Sequence, residues 1–478
     1  MAVKVVEMEI HSMHFKARAG QKMADVVLQQ NLKKTRSKFV DKRANAIRQL
    51  DDFEDLRTAA QELRDRVINN LDLWLERFEE EATRRGATVL WARDGAEVCR
   101  LTVDIARKHG VTMAVKSKSM LSEEAALNQA LEAAGIRPVE TDLGEYILQI
   151  NNNEPPSHIV APVFHKSKEE ISALFARTHG LPPKTGIEEM AREAREVLRP
   201  HFLSAGMGIS GGNFLVAETG SVALVTNEGN GRMVTTMPDV HVAITGIEKV
   251  VPTLEDLATL MRLLPRSATG QSISNYFSLL TGVKKPDDSD GPRHMYFILV
   301  DNGRADLVAG EYAAMLRCIR CGACMNHCPV YQSIGGHAYG WVYPGPMGSV
   351  LTPLLGGIEN ALDLPQASTL CNQCGSVCPV NIPLPDLLRK LRERQLKNGL
   401  RPLSERLLLR SWSWLARHPR CYTLAAQLGA RYLRWLGEDG KRIRVLGLMP
   451  EWTTGRDLPA PPGKTFRELY AARARARK

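Results

Sequence analysis

The sequence predicts an α/β body with a largely parallel sheet, followed by a small α-helical, cysteine-rich module and a basic helical C-terminal region. Three observations carry this reading: strand and helix patterns alternate with short links through the first 300 or so residues, seven of the nine cysteines fall between positions 318 and 378, and the excess positive charge lies behind them. With 478 residues, 44% hydrophobic and 24% charged, the chain is long enough to bury a sizeable core without disulfides. No run approaches the ~18 apolar residues of a membrane-spanning helix. Met1–Gly20 carries Lys4, Glu7, Glu9 and Lys16 with no apolar signal core. This predicts a cytoplasmic address, where paired cysteines serve as metal ligands rather than disulfides.

Taken in order, Ala60, Leu63, Val67, Leu71, Trp74 and Phe78 recur at 3- and 4-residue steps and predict one long core- or oligomer-facing helix over 51–85. An apolar run over Ala87–Ala92 precedes a helix over Ala96–His109, a strand over Thr112–Val115, a helix over Ser122–Ala134 with Ser122 as N-cap, and a strand over Glu145–Ile150. After Pro155-Pro156, helices are expected at Ser167–Ala176 and Ile187–Phe202. Strands are expected at Asn213–Ala217, Ser221–Thr226, Val240–Ile244 and Tyr296–Val300. Gly206-Met207-Gly208-Ile209-Ser210-Gly211 matches the G-x-G-x-x-G dinucleotide fingerprint, but that fingerprint needs a strand before it and a helix after it. Here the order is reversed, so the segment is read as a glycine-rich αβ connection without nicotinamide binding. The rhythm ends near Asn302, which sets the domains at 1–304, 305–392 and 393–478. Ala305–Arg317 reads as a helix leading to the first cysteine and Ser349–Leu362 as another.

The net charge is +10, yet residues 401–478 alone hold 17 Lys and Arg against 6 Asp and Glu. The remainder is nearly neutral. A basic appendage suits nucleic acid, an anionic membrane surface or an acidic partner. No nucleic-acid-binding motif accompanies it, so the expectation is no nucleic acid. Leu407-Leu408-Leu409, Trp412, Trp414 and Leu415, flanked by Arg406, Arg410 and Arg417, form an amphipathic pattern compatible with a docking helix, a peripheral membrane contact or ordinary packing.

The chemistry sits in two cysteine groups, Cys318-x2-Cys321-x2-Cys324-x3-Cys328-Pro329 and Cys371-x2-Cys374-x3-Cys378-Pro379. The first is the ferredoxin run, in which three thiolates on one tight loop cover three iron corners and the fourth cysteine serves the other cluster. Gly322 lets the loop approach the cluster, and Pro329 turns the chain away. The crossed rule assigns Cys318, Cys321, Cys324 and Cys378 to one [4Fe–4S] cluster, and Cys328, Cys371 and Cys374 to the second. That second set is one ligand short, because Ser368 occupies the expected position. Three compositions satisfy it: [4Fe–4S] with a non-cysteine ligand, [3Fe–4S], or a cluster with an open corner. Tetrahedral zinc sites rarely use such a run, so iron–sulfur is the preferred reading. His327 is expected beside the cluster or at the surface rather than as a ligand, and Cys99 and Cys421 as buried structural thiols. Arg317 and Arg320 lie near the cluster in sequence and are expected to raise its potential. The 42 residues between Cys328 and Cys371 exceed what a compact ferredoxin needs and suggest the helical ferredoxin type. Two clusters in one module pass single electrons and do not themselves remove a hydride. The chain is therefore read as a non-catalytic electron-transfer subunit of an oxidoreductase.

These residues resemble the lactate utilisation protein B family, the iron–sulfur subunit of a bacterial three-protein L-lactate oxidation system. The likeness runs through Ala217-Glu218-Thr219-Gly220-Ser221, Thr226-Asn227-Glu228-Gly229-Asn230, Arg317–Cys324, Tyr343-Pro344-Gly345-Pro346, Leu370–Pro379 and Pro461–Arg467. It implies an N-terminal LUD domain similar to the ribose-phosphate isomerase and CoA-transferase group. It further implies electron transport during oxidation of L-lactate to pyruvate, beside a further iron–sulfur subunit and a second LUD-domain subunit. The family's own arrangement is four plus three cysteines, so Ser368 is no departure from it. Two other functions stand against this one. In the first, the LUD body binds or converts a small 2-hydroxy carboxylate, with Glu218 and Arg232 beside glycine-rich turns as candidate residues. In the second, the basic region is a nucleic-acid module and the clusters are structural.

Overall fold

The computed structural model describes residues 10–226, 228–274, 276–437, 441–447, 452–453 and 456–476, with the side chains of 35–37 outside the description. Asn227 of the family-like segment therefore lies outside it. The strands are β1 (Thr88–Ala92), β2 (Met113–Lys116), β3 (Arg137–Glu140), β4 (Met207–Gly211), β5 (Phe214–Val216), β6 (Ser221–Val225), β7 (Val240–Gly246), β8 (Val250–Val251), β9 (Phe277–Leu280) and β10 (His294–Val300). Six of them form an all-parallel sheet in the order β1-β10-β7-β4-β2-β3, with Thr88 opposite Tyr296 and Ser210 opposite Ala243. Every residue of β7 is buried, as is β10 after His294, which is why these strands read as continuous apolar runs rather than alternating ones. A second sheet, β8-β5-β6-β9, is antiparallel except where β5 meets β8. The chain passes from the first sheet to the second twice, from β4 into β5 through Gly212-Asn213 and from β7 into β8 through Ile247–Lys249. Both crossings leave the carboxyl ends of the parallel strands, where α/β sheets hold ligands.

Several expectations are corrected. The long helix over 51–85 is two helices, Phe53–Ile68 and Leu71–Arg84, parted at Asn69-Asn70; the Asn70 amide donates to Arg66 O, the kind of local bond that draws asparagine out of helices. Glu145–Ile150 is not a strand but part of the helix Leu143–Ile150. Asp142 caps it, its Oδ1 accepting from the Gly144 and Glu145 amides, and the strand is β3 just before. Ser119, not Ser122, is the next N-cap, and Ala126 at φ +53° divides the segment into Met120–Glu124 and Leu127–Ala133. Within the glycine-rich segment at 206–211, Met207–Gly211 is strand β4 itself. A Cβ on Gly208 would lie 1.8 Å from Val234 O, so glycine there lets the helix Asn230–Thr236 rest directly on the strand. Ala305–Arg317 is a short helix, Ala305–Val308, and a 3-10 turn, Ala313–Arg317. The helix expected at Ser349–Leu362 is Gly345–Leu355.

Three helices at 15–24, 26–36 and 42–48 precede the body. The chain divides into two compact units, 1–395 and 396–478. In the second, the helices Leu403–Arg417 and Pro419–Leu436 bury none of their residues. No helix among the described residues is long and apolar enough to cross a membrane.

The sheet carries an acid-sensitive residue. His241, on β7, is 1% exposed; its Nε2 meets Ser210 Oγ at 2.8 Å and its Nδ1 has no hydrogen-bond partner among the described residues. Burial pushes its pKa down to about 4. An unfolded histidine titrates near ~6.5, so the unfolded state binds more protons between pH 6.5 and 4 and stability falls as pH drops through that window. From His241 alone the loss at pH 5 relative to pH 7.5 is about 2 kcal/mol. His241→Gln should flatten a urea-melt profile over this range, and an unchanged slope would refute the assignment.

Candidate metal centre

Two loops of the same design carry the cysteines. In the first, Arg320 and Gly322 take left-handed conformations (φ +57° and +77°) and lead into the turn of helix Ala323–Asn326. In the second, Leu370 and Asn372 do so (φ +55° and +63°) before Gln373–Ser376. The two short helices pack against each other. The Arg320 amide donates to Cys318 Sγ at 3.4 Å, and the Leu370 amide to Ser368 Oγ at 3.1 Å. Ser368 thus holds in the second loop the place of Cys318 in the first.

Cys318, Cys321, Cys324 and Cys378 line one small, mostly apolar cavity, walled by Ile159, Met347, Val380 and Ile382. All seven cysteines are free. Burial pushes the Cys321 thiol up to about 12, helped by Cys378 and Cys318. Cys374 also goes to about 12, by burial and then Cys328. Burial raises Cys328 too, with Cys371 adding to it. Cys371 is exposed, and the Gln373 amide aimed at it lowers its pKa. Buried thiols of this kind ionise only when a cation takes the place of the proton.

Cations stand ready to balance an anionic group. Arg57 donates to Cys378 O (2.7 Å) and Gly375 O (3.1 Å), Arg43 to Val377 O (2.8 Å) and Lys249 to Cys318 O (2.7 Å). Arg317 is already paired bidentately with Asp65 at 2.5 and 2.8 Å, so its charge is largely spent on that carboxylate. Arg320 lies 4.8 Å over the Tyr343 ring and 3.6 Å from Glu248. Free sulfur donors, a small apolar pocket and surrounding cations fit iron–sulfur clusters.

The remaining candidates fall elsewhere. His327 Nδ1–H donates to Ala323 O at 2.9 Å and stiffens the loop. Cys99 is buried and donates to Ala125 O, whereas Cys421 is exposed, contrary to expectation, because its helix buries no residue. Glu218 accepts from the Leu254 amide at 2.9 Å at the start of helix Leu254–Ala268, and Arg232 lies over the Tyr276 ring at 5.6 Å. Neither lines the cavity at the carboxyl ends of the parallel strands. That cavity, about 230 Å³, opens at the carboxyl ends of β2, β4 and β7 and is closed on one side by Ile319 and Arg320 of the first cysteine loop. Its polar residues, Ser117, Lys118, Asn230 and Thr245 among them, come from separate segments with no local spacing to join them, so the sequence pattern does not mark them as one site.

Two ferredoxin-type cysteine loops set on an α/β body define a two-cluster iron–sulfur protein. Family profiles agree segment by segment: LUD domain over 75–300, 4Fe-4S dicluster domain over 314–382, and lactate utilisation protein B, C-terminal, over 388–475. The chain belongs to the lactate utilization protein B family. It is 41% identical over 467 residues to lactate utilization protein B of Bacillus licheniformis, covering 98% of each chain, and 40% identical over 467 residues to that of Bacillus subtilis, again 98% of each. An uncharacterized electron transport protein of Escherichia coli is 40% identical over 456 residues, 95% of this chain and 96% of its own.

Proposed function

We propose that this chain is the electron-transfer subunit of a multi-subunit system that oxidises L-lactate to pyruvate. The observation that carries the reading is the pair of matched cysteine loops packed together in a chain related over 98% of its length to lactate utilization protein B. Cys318, Cys321, Cys324 and Cys378 would hold a [4Fe–4S] cluster, and Cys328, Cys371 and Cys374 the second, with Ser368 at the place of the missing thiolate. Bound there, the clusters supply one-electron storage and transfer. The chain's own residues ligate, exclude water from the Cys318 side and balance charge through Arg43, Arg57 and Lys249.

Segments 1–304, 305–392 and 393–478 serve as LUD body, dicluster module and basic docking region. The LUD body is related in this reading to the ribose-phosphate isomerase and CoA-transferase group. Its partners are a further iron–sulfur subunit and a second LUD subunit, and the place of action is the cytoplasm, with peripheral contact at the inner membrane face. Exposed Leu407, Trp412 and Trp414 among arginines support such docking. A second reading gives the LUD body its own carboxylate site, favoured by the cavity that abuts the cysteine loop.

The test is lactate-dependent dye reduction by the protein reconstituted with its two sister subunits. A Cys318→Ala/Cys371→Ala variant should lose nearly all of the rate. Full activity in that variant would overturn the electron-transfer role.

A further inference from the structure

The cavity at the carboxyl ends of β2, β4 and β7 holds more buried polar atoms than the hydrogen bonds among the described residues satisfy. Ser117, Asn230 and Thr245 are 2%, 5% and 2% exposed, and Ser117 Oγ, Asn230 Oδ1 and Thr245 Oγ1 have no hydrogen-bond partner among the described residues. Lys118 Nζ also makes no hydrogen bond among the described residues, its ion pair with Glu145 spanning 3.5 Å. On the cysteine-loop side, Arg320 faces the same space with its ion pair to Glu248 at 3.6 Å. Buried polar groups are almost always satisfied, so several orphans gathered in one cavity mark a missing polar partner.

Glycines at the strand ends let the lining side chains pack directly on the backbone. A Cβ on Gly212 would come within 2.5 Å of Thr245 Oγ1, and one on Gly246 would strike Glu248 and Arg304. Gly211, the last residue of the glycine-rich segment that mimics a dinucleotide fingerprint, ends β4 at this wall. It lines a cavity of about 230 Å³ at the carboxyl ends of the parallel strands, the place where α/β sheets hold ligands.

From this geometry we infer that the cavity is a binding site for a small carboxylate bearing a neighbouring hydroxyl. Lys118 and Arg320 meet the carboxylate from the sheet side and the cysteine-loop side. Ser117 and Thr245 can donate or accept, while Asn230 Oδ1 only accepts, so the ligand must bring a donor of its own. A hydroxyl supplies it; a plain fatty acid does not. The inference places the second functional reading at residues other than Glu218 and Arg232, and it is independent of the electron-transfer role.

The experiment is calorimetry on the anaerobically purified, cluster-loaded full chain with glycolate, L-lactate, propionate and inorganic phosphate. Glycolate or L-lactate should bind at least about tenfold more tightly than propionate, the analogue that leaves Asn230 unpaired. Lys118→Met and Thr245→Val should each weaken that binding at least about tenfold with iron content unchanged. Should either variant lose iron or fail to fold, Ser117→Ala removes a single hydroxyl and should still weaken binding several-fold. Absence of heat with every probe, propionate equal to glycolate, phosphate as tight as either, or variants that bind normally would each overturn the site. None of these would touch the reduction of the clusters by dithionite, so failure of this site and failure of the electron-transfer reading are separable.

Discussion

Arg304→Met should destabilise the protein by about 3–5 kcal/mol, the usual cost of stranding a buried charge. Arg304 is 2% exposed and holds Glu124 bidentately, Nη1 to Oε1 at 3.1 Å and Nη2 to Oε2 at 3.0 Å, while its Nε lies 3.0 Å from Glu248 Oε2. The same Glu124 accepts from Asn302 and from the Tyr343 hydroxyl. One guanidinium thus ties the end of β10 to helix Met120–Glu124, to the β7–β8 crossing and to the segment between the cysteine loops. Burial works to raise the Glu248 pKa, yet Arg304, Lys249 and Arg320 hold it down to about 2. Without Arg304 the balance moves toward burial and the Glu248 pKa rises. The variant's deficit should therefore be larger at pH 7 than at pH 5, where a raised carboxyl can take a proton. Adding Glu124→Gln to Arg304→Met should recover part of the loss, because it removes a stranded charge rather than a second interaction. Denaturant melts of the single and the double variant check this, and an Arg304→Met variant within about 1 kcal/mol of the parent would refute the account.

The network explains which parts of the molecule were legible in the sequence. The cysteine loops were, because their chemistry is local: seven ligand candidates, their spacing and the following prolines all lie within two short segments. The strands β7 and β10 were legible for a similar reason, since burial on both faces leaves an apolar run that needs no partner to be seen. The cap at Asp142 outweighed a short apolar stretch that reads equally well as strand or helix, and Glu145–Ile150 was misassigned on that ambiguity. Gly206–Gly211 misled in the opposite direction. Its glycines are demanded by a helix lying on the strand and by a cavity wall, two tertiary facts that its reversed local order can exclude from nucleotide binding but cannot reveal. Glu218 and Arg232 drew notice for sitting near glycine-rich turns, yet each is engaged in a local contact. Lys118, Asn230, Thr245 and Arg320 converge only through the parallel order β7-β4-β2 and the packing of the cysteine loop beneath it.

Pairwise grouping of cysteine variants by their spectra should follow the fold rather than the sequence. Cys378→Ser should remove the same EPR signal as Cys318→Ser, although 60 positions part the two in the chain. Cys328→Ser should instead group with Cys374→Ser, although Cys328 lies only four residues from Cys324. The basis is spatial. Cys378 shares one small cavity with Cys318, Cys321 and Cys324, whereas Cys328 is the first charge felt by Cys374 after burial itself. Proteins purified without oxygen and reduced with dithionite should carry about eight irons if both sets hold cubanes, and about seven if the set beside Ser368 holds three irons. Each serine variant should leave one signal intact and lower iron by roughly half, the loss of one cluster of two. Ser368→Cys provides the complementary test: the Leu370 amide that now meets Ser368 Oγ at 3.1 Å is placed as the Arg320 amide is toward Cys318, so a thiolate there completes the second set. A three-iron signal in the parent should then give way to a cubane signal in the variant, whereas a parent that already holds eight irons should keep its count and shift only the spectrum of that cluster. Grouping of Cys378 with Cys371 and Cys374 would overturn the crossed assignment, because it would mean that each cysteine segment folds around its own cluster.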